Sequence, residues 1–160
     1  MNLGRNKKSA IAAVCAMSIF ALTTPAWAYI AGAGAGPAIA TVTAVGDGAW
    51  APATNATAIG FNSYAYGAYS TAVGAYSGGA DNGINSVAVG NYAHPVGAHS
   101  MALGNSSYTS TANSIAIGSA ANVTGATATN GTAIGTNATI TSAGSTALGY
   151  GANVSGTTAI

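Results

Sequence analysis

The stretch Asn113-Ser114-Ile115-Ala116-Ile117-Gly118 decides how this chain folds, because its frame returns along most of the molecule. The frame is a small or polar pair, a variable residue, Ala, a branched aliphatic residue and Gly. It reads again as Asn55-Ala56-Thr57-Ala58-Ile59-Gly60, Tyr69-Ser70-Thr71-Ala72-Val73-Gly74 and Asn85-Ser86-Val87-Ala88-Val89-Gly90. It continues as His99-Ser100-Met101-Ala102-Leu103-Gly104, Asn130-Gly131-Thr132-Ala133-Ile134-Gly135 and Gly144-Ser145-Thr146-Ala147-Leu148-Gly149. The terminal glycines stand at 60, 74, 90, 104, 118, 135 and 149, so the steps are 14, 16, 14, 14, 17 and 14. A period of 14 with insertions of two or three residues accounts for every step. Two half-period copies, Ala65-Tyr66-Gly67 and Pro95-Val96-Gly97, each follow a full copy by seven residues. A fixed period means units that stack on their neighbours. Fourteen residues are too few for a helix-turn-helix repeat. They suit a coil of two short strands and two turns, since a strand rises about 3.3 Å per residue and commonly runs about 5 residues. The expected fold is all-β: a roll, or solenoid, of 14-residue coils.

Side chains alternate between the two faces of a strand. Ile115 and Ile117 therefore share one face, and Ser114 and Ala116 the other. The residue before each glycine is a branched aliphatic, as a buried face requires. The residue before that is always Ala, which points to a face too crowded for anything larger. Neither face carries a charge in any copy. Both are expected to be covered, one by the interior of the coil and one by a neighbouring chain. The pattern alone leaves open which face is which. The recurring Gly suits a bend or a backbone with φ > 0.

Residues 1–28 differ in composition. Arg5, Lys7 and Lys8 precede an apolar run from Ala10 to Leu22, and Ala26-Trp27-Ala28 forms a small-x-small site. This is the pattern of a secretory signal cleaved after Ala28; a membrane anchor would need about 20 apolar residues. Cys15 lies inside the apolar run after Val14, which does not fit a lipoprotein site. The remaining 132 residues contain no Lys, Arg or Cys, and Asp47 and Asp81 are their only acidic side chains. No basic patch is left for nucleic acid or anionic lipid, and no disulfide can form. Residues 29–43 read as a Gly/Ala-rich, mobile lead-in, with a degenerate first coil beginning near Ile39 and with Trp50 and Pro52 in a turn. Residues 44–160 are the repeat array, ending in mid-repeat at Thr158-Ala159-Ile160. The two insertions, within Ser77–Gly83 and Gly125–Asn130, are rich in turn formers.

Catalysis is not expected. Two carboxylates and two histidines leave little from which to build an acid–base pair or an activated nucleophile. His94 and His99 are read as solvent-facing turn residues rather than a metal pair, and the Gly-rich stretches lack the Lys of a phosphate loop. No cofactor or metal is expected. Tyr64, Tyr66, Tyr69, Tyr76 and Tyr92, with Phe61 beside them, gather in the first half of the array. Exposed tyrosines are enriched at binding surfaces, so these five form a candidate aromatic patch. The competing reading is that they shield outer coils or pack between chains.

The hexapeptides 85–90 and 113–118, with Ser119 following, resemble the head repeats of YadA-like trimeric autotransporter adhesins. The likeness extends over about residues 44–160. It implies a left-handed parallel β-roll, three chains in one head, exposure on the outer surface of a Gram-negative bacterium, and adhesion to host matrix proteins or cells or self-association of bacteria. It also implies a collagen-type ligand for the motif residues Asn85, Ser86, Val87, Ala88, Val89 and Gly90 and Asn113, Ser114, Ile115, Ala116, Ile117, Gly118 and Ser119. The same residues also build the roll, so their loss could abolish binding by unfolding it. Family members follow the head with a neck, a coiled-coil stalk and a membrane β-barrel. No such pattern occurs before residue 160, so the chain is expected to be a fragment of a longer frame or a truncated, released product.

Two other readings compete. A secreted monomeric solenoid, such as an ice-binding protein, would suit the low charge and abundant Thr. It needs a regular Thr ladder, and the variable position mixes Thr57, Thr71, Thr132 and Thr146 with Val87, Met101 and Ile115. A passive biofilm-matrix protein would use the same roll without a receptor.

Overall fold

A computed structural model describes residues 29–31 and 41–156 of the chain. The expected export signal, most of the lead-in and residues 157–160 lie outside the described residues. Each coil contributes one strand of three residues: β1 (Tyr29–Ala31), β2 (Thr43–Val45), β3 (Thr57–Ile59), β5 (Thr71–Val73), β7 (Val87–Val89), β9 (Met101–Leu103), β11 (Ile115–Ile117), β13 (Thr132–Ile134) and β15 (Thr146–Leu148). The second side of the coils gives two-residue strands: β4 (Tyr64–Ala65), β6 (Gly78–Gly79), β8 (His94–Pro95), β10 (Tyr108–Thr109), β12 (Asn122–Val123), β14 (Thr139–Ile140) and β16 (Asn153–Val154).

The nine longer strands form one parallel sheet in the order β1-β2-β3-β5-β7-β9-β11-β13-β15. The frame sets its register: Ala58 lies beside Ala72, Ala72 beside Ala88 and Ala116 beside Ala133. The insertions do not disturb this sheet, because the extra residues leave it at the corners. The molecule is thus a parallel β-solenoid of 14-residue coils. On the second side the ladder is broken into β4-β6 and β8-β10-β12-β14-β16. The break falls where the chain turns through Ala80 and Asp81. Ser77, Gly78 and Gly79 stay in the coil, so the two-residue insertion is shorter than the whole Gly-rich stretch. Trp50, expected in a turn, instead pairs with Tyr64 as a parallel bridge on this side. Tyr29–Ala31, assigned above to the lead-in, pairs in register with Thr43–Val45 as the first strand of the sheet.

The alternation resolves which face is which. The frame alanines, including Ala44, Ala58, Ala88, Ala116 and Ala133, are fully buried, as are Ser70, Ser86 and Ser114. The far wall supplies Ala51, Ala65, Thr109, Val123 and Ile140, also fully buried. Two walls lined by such small side chains stand too close together for a larger residue at the frame position. The branched aliphatics point outward. Within one chain they are only partly covered, with Ile59 38% and Leu148 72% exposed.

Each coil turns at two corners through a left-handed residue. Asn55, Tyr69, Asn85, His99, Asn113 and Asn130 line one corner and Asn62, Tyr76, Tyr92, Ser106, Ala120 and Asn137 the other, all with φ between 48 and 59°. Asn tolerates this conformation better than most residues. The frame glycine precedes the second corner. Gly104 has φ 132°, and a Cβ there would lie 2.5 Å from the oxygen of Gly118. The coils approach so closely at this point that only hydrogen fits.

Candidate functional site

Most of each motif is consumed by the fold. Asn85 and Asn113 are corner residues at φ 54 and 55°, and the Asn85 side-chain amide lies 3.2 Å from His99 Nε2 on the next coil. Ser86 and Ser114 face the interior. The Ser114 hydroxyl donates to the carbonyls of Ala112 and Ala128, both at 3.2 Å, and lies 3.0 Å from the Thr111 hydroxyl. Ala88 and Ala116 are buried, and Gly90 and Gly118 have φ 133 and 130°. The motif residues open to a partner are the corner asparagines, the outward Val87, Val89, Ile115 and Ile117, and the exposed Ser119.

Because the frame is in register, these outward side chains join into one surface. Val87 lies beside Met101 and Val89 beside Leu103, which in turn lie beside Ile115 and Ile117. The column runs on through Thr132 and Ile134 to Thr146 and Leu148. The result is an uncharged strip along the sheet, aliphatic throughout in the column Val45 to Leu148 and mixed Thr and aliphatic in the column beside it. The Ala rule in the frame was the signal for it: if Ala must face inward, its neighbours on either side must face out.

The five tyrosines do not form one patch. Tyr64 and Tyr66 are on the second side, with ring centres 6.2 Å apart. Tyr69 stands at the corner shared with Asn85 and Asn113, 60% exposed. Tyr76 and Tyr92 occupy the opposite corner, where their rings stack at 4.9 Å with 4° between planes. Phe61 meets Tyr76 edge-on at 5.4 Å.

Electrostatics contribute little. His94 is a strand residue rather than a turn residue, and its Nε2 lies 2.6 Å from Asp81 Oδ1 in the insertion. Tyr108, one coil on, meets the His94 ring edge-on at 5.6 Å. His99 stands at a corner, exposed. Nothing in the spacing signalled the Asp81–His94 pair, because the irregular residues 80 and 81 carry the carboxylate across to the next coil. Among the described residues no three His, Cys, Asp or Glu side chains come together as a metal group would require.

No curated protein sequence matches this chain. A family model described as the YadA head domain repeat (2 copies) matches residues 43–63, 51–77, 96–121, 126–139 and 141–160. The first matched segment starts at β2. Residues 78–95, which contain the two-residue insertion, fall between matches. Together the matched segments make up more than half of the chain, and they carry most of the coils described above, including Asn113–Ser119, while Asn85–Gly90 falls between matches. The chain therefore belongs to the YadA head domain repeat family.

Proposed function

We propose that this chain is the head of an adhesin that holds extracellular partners by surface contact, without turnover. The observation that carries the reading is the aliphatic strip. It is uncharged, continuous over the coils, and half exposed in a single chain, as in Leu103 at 36%. A soluble monomer seldom leaves so long an apolar surface open. Three chains packed through these strips would bury it, which is the trimer that membership in this family suggests. Packing of this kind would enclose Val87, Val89, Ile115 and Ile117 and leave Asn85, Asn113 and Ser119 at the rim. Those rim residues are then where a collagen-type ligand, another host matrix protein or a host cell would be met. Three copies of a weak site would act with avidity. Display at the cell surface or outer membrane of a Gram-negative bacterium follows if the head is part of a longer chain, and release if it is not.

The test is light scattering on the purified chain, followed by solid-phase binding to collagen and other matrix proteins. A trimer that binds at least one of them is the expected result. A folded monomer that binds none would overturn the reading and favour a secreted solenoid of another class. An ice-binding surface is disfavoured by the outward column: Thr43, Thr57 and Thr71 lie in register, but Val87 and Met101 interrupt the ladder.

A further inference from the structure

We infer that the corner bearing Phe61, Tyr76 and Tyr92 is a docking strip for a neutral polysaccharide, a chain of equatorially substituted pyranose rings. The inference rests on the adhesin reading and names a class of partner for it.

The first observation is conformational. Tyr76 and Tyr92 both have φ 55°. Other coils fill the same corner position with Gly48, Asn62 and Asn137, which accept a left-handed backbone more readily, and with the small residues Ser106 and Ala120; only here does it carry large rings. The rings are 39% and 55% exposed, so burial does not offset the strain. The strain is held in company with a stack of rings that includes Phe61, and the stack leaves large aromatic area at the surface.

The second is the shape of the stack. Parallel rings with centres 4.9 Å apart are too close to lie edge to edge, so they overlap face to face. Tyr76 covers one face of Tyr92. On the other side the next coil offers Ser106 at the equivalent position, and no ring continues the stack. Tyr92 thus ends the stack, 55% exposed and followed by a small serine rather than another ring, which leaves aromatic surface for a flat, apolar ring. The axial C–H groups of an equatorially substituted pyranose provide such a surface, and its hydroxyls project around the rim.

The third is what lies beside that face. The Asn105 side-chain amide donates to Asn91 Oδ1 at 3.1 Å and to the Asn91 carbonyl at 3.3 Å. The Asn91 amide donates to the Ala75 carbonyl at 3.0 Å. The Ser106 hydroxyl donates to Asn105 Oδ1 at 3.3 Å. Asn91, Asn105 and Ser106 are all exposed. Each amide oxygen has two lone pairs and each amide nitrogen two hydrogens, so this line of amides can exchange bonds with sugar hydroxyls. The two amides stand one coil apart, at the strand spacing of about 4.8 Å, comparable to the advance per residue of an extended sugar chain.

The fourth is charge. No Lys or Arg occurs beyond residue 8, so nothing among the described residues would attract a sulfated or carboxylated chain. A partner met through aromatic faces and amides alone is a neutral one.

Calorimetric titration of the full chain with cellohexaose and with the corresponding N-acetylglucosamine hexamer tests this, with a sulfated oligosaccharide as control. Binding to at least one neutral hexamer is expected, unchanged by added salt, with none to the control. Tyr92→Asn supplies the better corner residue, so the fold should hold while affinity falls about tenfold, or about 1.4 kcal/mol. Tyr92→Phe keeps the ring face and should bind like the parent. Absence of binding to both hexamers, or parental affinity in Tyr92→Asn, overturns the proposal. A change in oligomeric mass in Tyr92→Asn would also overturn it, by placing the corner in a chain–chain contact, as would capture of an aromatic peptide in place of the sugars. If sugar binding is absent while matrix proteins or cells are still bound, the proposal falls and the adhesin reading stands.

Discussion

At the scale of single residues, the frame divides into positions that admit one residue type and positions that admit many. Ala116 belongs to the first kind. It is fully buried against a wall that includes Val123, so Ala116→Leu would force apart coils held by backbone hydrogen bonds. Overpacking a close-packed core typically costs about 1–3 kcal/mol, and here the backbone walls cannot retreat singly. We expect a loss at the upper end of that range, read as a lowered midpoint in denaturant titration. Ala120 is a contrasting case. It is exposed and left-handed at φ 56°, where an L-residue costs roughly 1–2 kcal/mol that Gly avoids. Ala120→Gly should therefore stabilise the chain by about 1 kcal/mol, offset in part by the greater freedom of Gly in the unfolded state; an unchanged or lower midpoint would refute this. The sequence revealed that Ala and Gly were required, because repetition exposes any position that never varies. It did not reveal that Tyr69, Tyr76 and Tyr92 are corner residues, since tyrosine is not a residue that left-handed turns select.

At the scale of the element, the two faces of the roll differ in how readily they could be foreseen. The longer sheet was legible wherever the frame repeats, and even steps of 16 and 17 residues leave Ala72 beside Ala88 and Ala116 beside Ala133; Tyr29–Ala31, which carries no copy of the frame, was read as lead-in and is its first strand. The shorter strands were legible only where a half-period copy marked them, as at Pro95. They lack a frame because their outward position passes from Trp50 and Tyr64 through Gly78 to His94, Tyr108 and Asn122, with no constant chemistry. Where this side breaks, Asn82 substitutes for the missing continuity. Its buried side-chain amide donates to the Tyr64 carbonyl at 3.0 Å. A buried hydrogen bond of this kind contributes about 1 kcal/mol, so Asn82→Ala should lower global stability by about that amount. The clearer readout is local. Amide exchange at Gly79 should quicken more than at Val87–Val89, because Gly79 lies beside the Asn82–Tyr64 bond where the two-strand ladder ends; Gly78, whose amide donates to the Ala93 carbonyl at 2.8 Å, should respond less. Uniform quickening along the chain would show that the break is not a separate unit of stability.

At the scale of the whole molecule, the question is what covers the aliphatic strip. Alternation and the Ala rule made an outward apolar face foreseeable, but a single chain cannot say how much of that face water can reach. The structure supplies this: Ile59, Leu103 and Leu148 are at least a third exposed while every frame alanine beside them is sealed. The fold of one chain is therefore separable from its assembly, since interior and strip share no side chain. Val89→Asp with Ile117→Asp places charge on the strip without touching Ala88 or Ala116. If chains pack through the strip, two desolvated and unpaired carboxylates in each would cost several kcal/mol of association, enough to leave monomers at micromolar concentration. Light scattering should then report one chain where the parent gives three, while circular dichroism keeps its β signature. The parent's thermal midpoint should rise with concentration, as mass action requires of an oligomer, and the variant's should not. A variant that remains trimeric would place the chain–chain contact elsewhere on the roll. A variant that loses its β signature would show that the strip is needed to hold one chain's own coils together, and that folding and assembly are a single step.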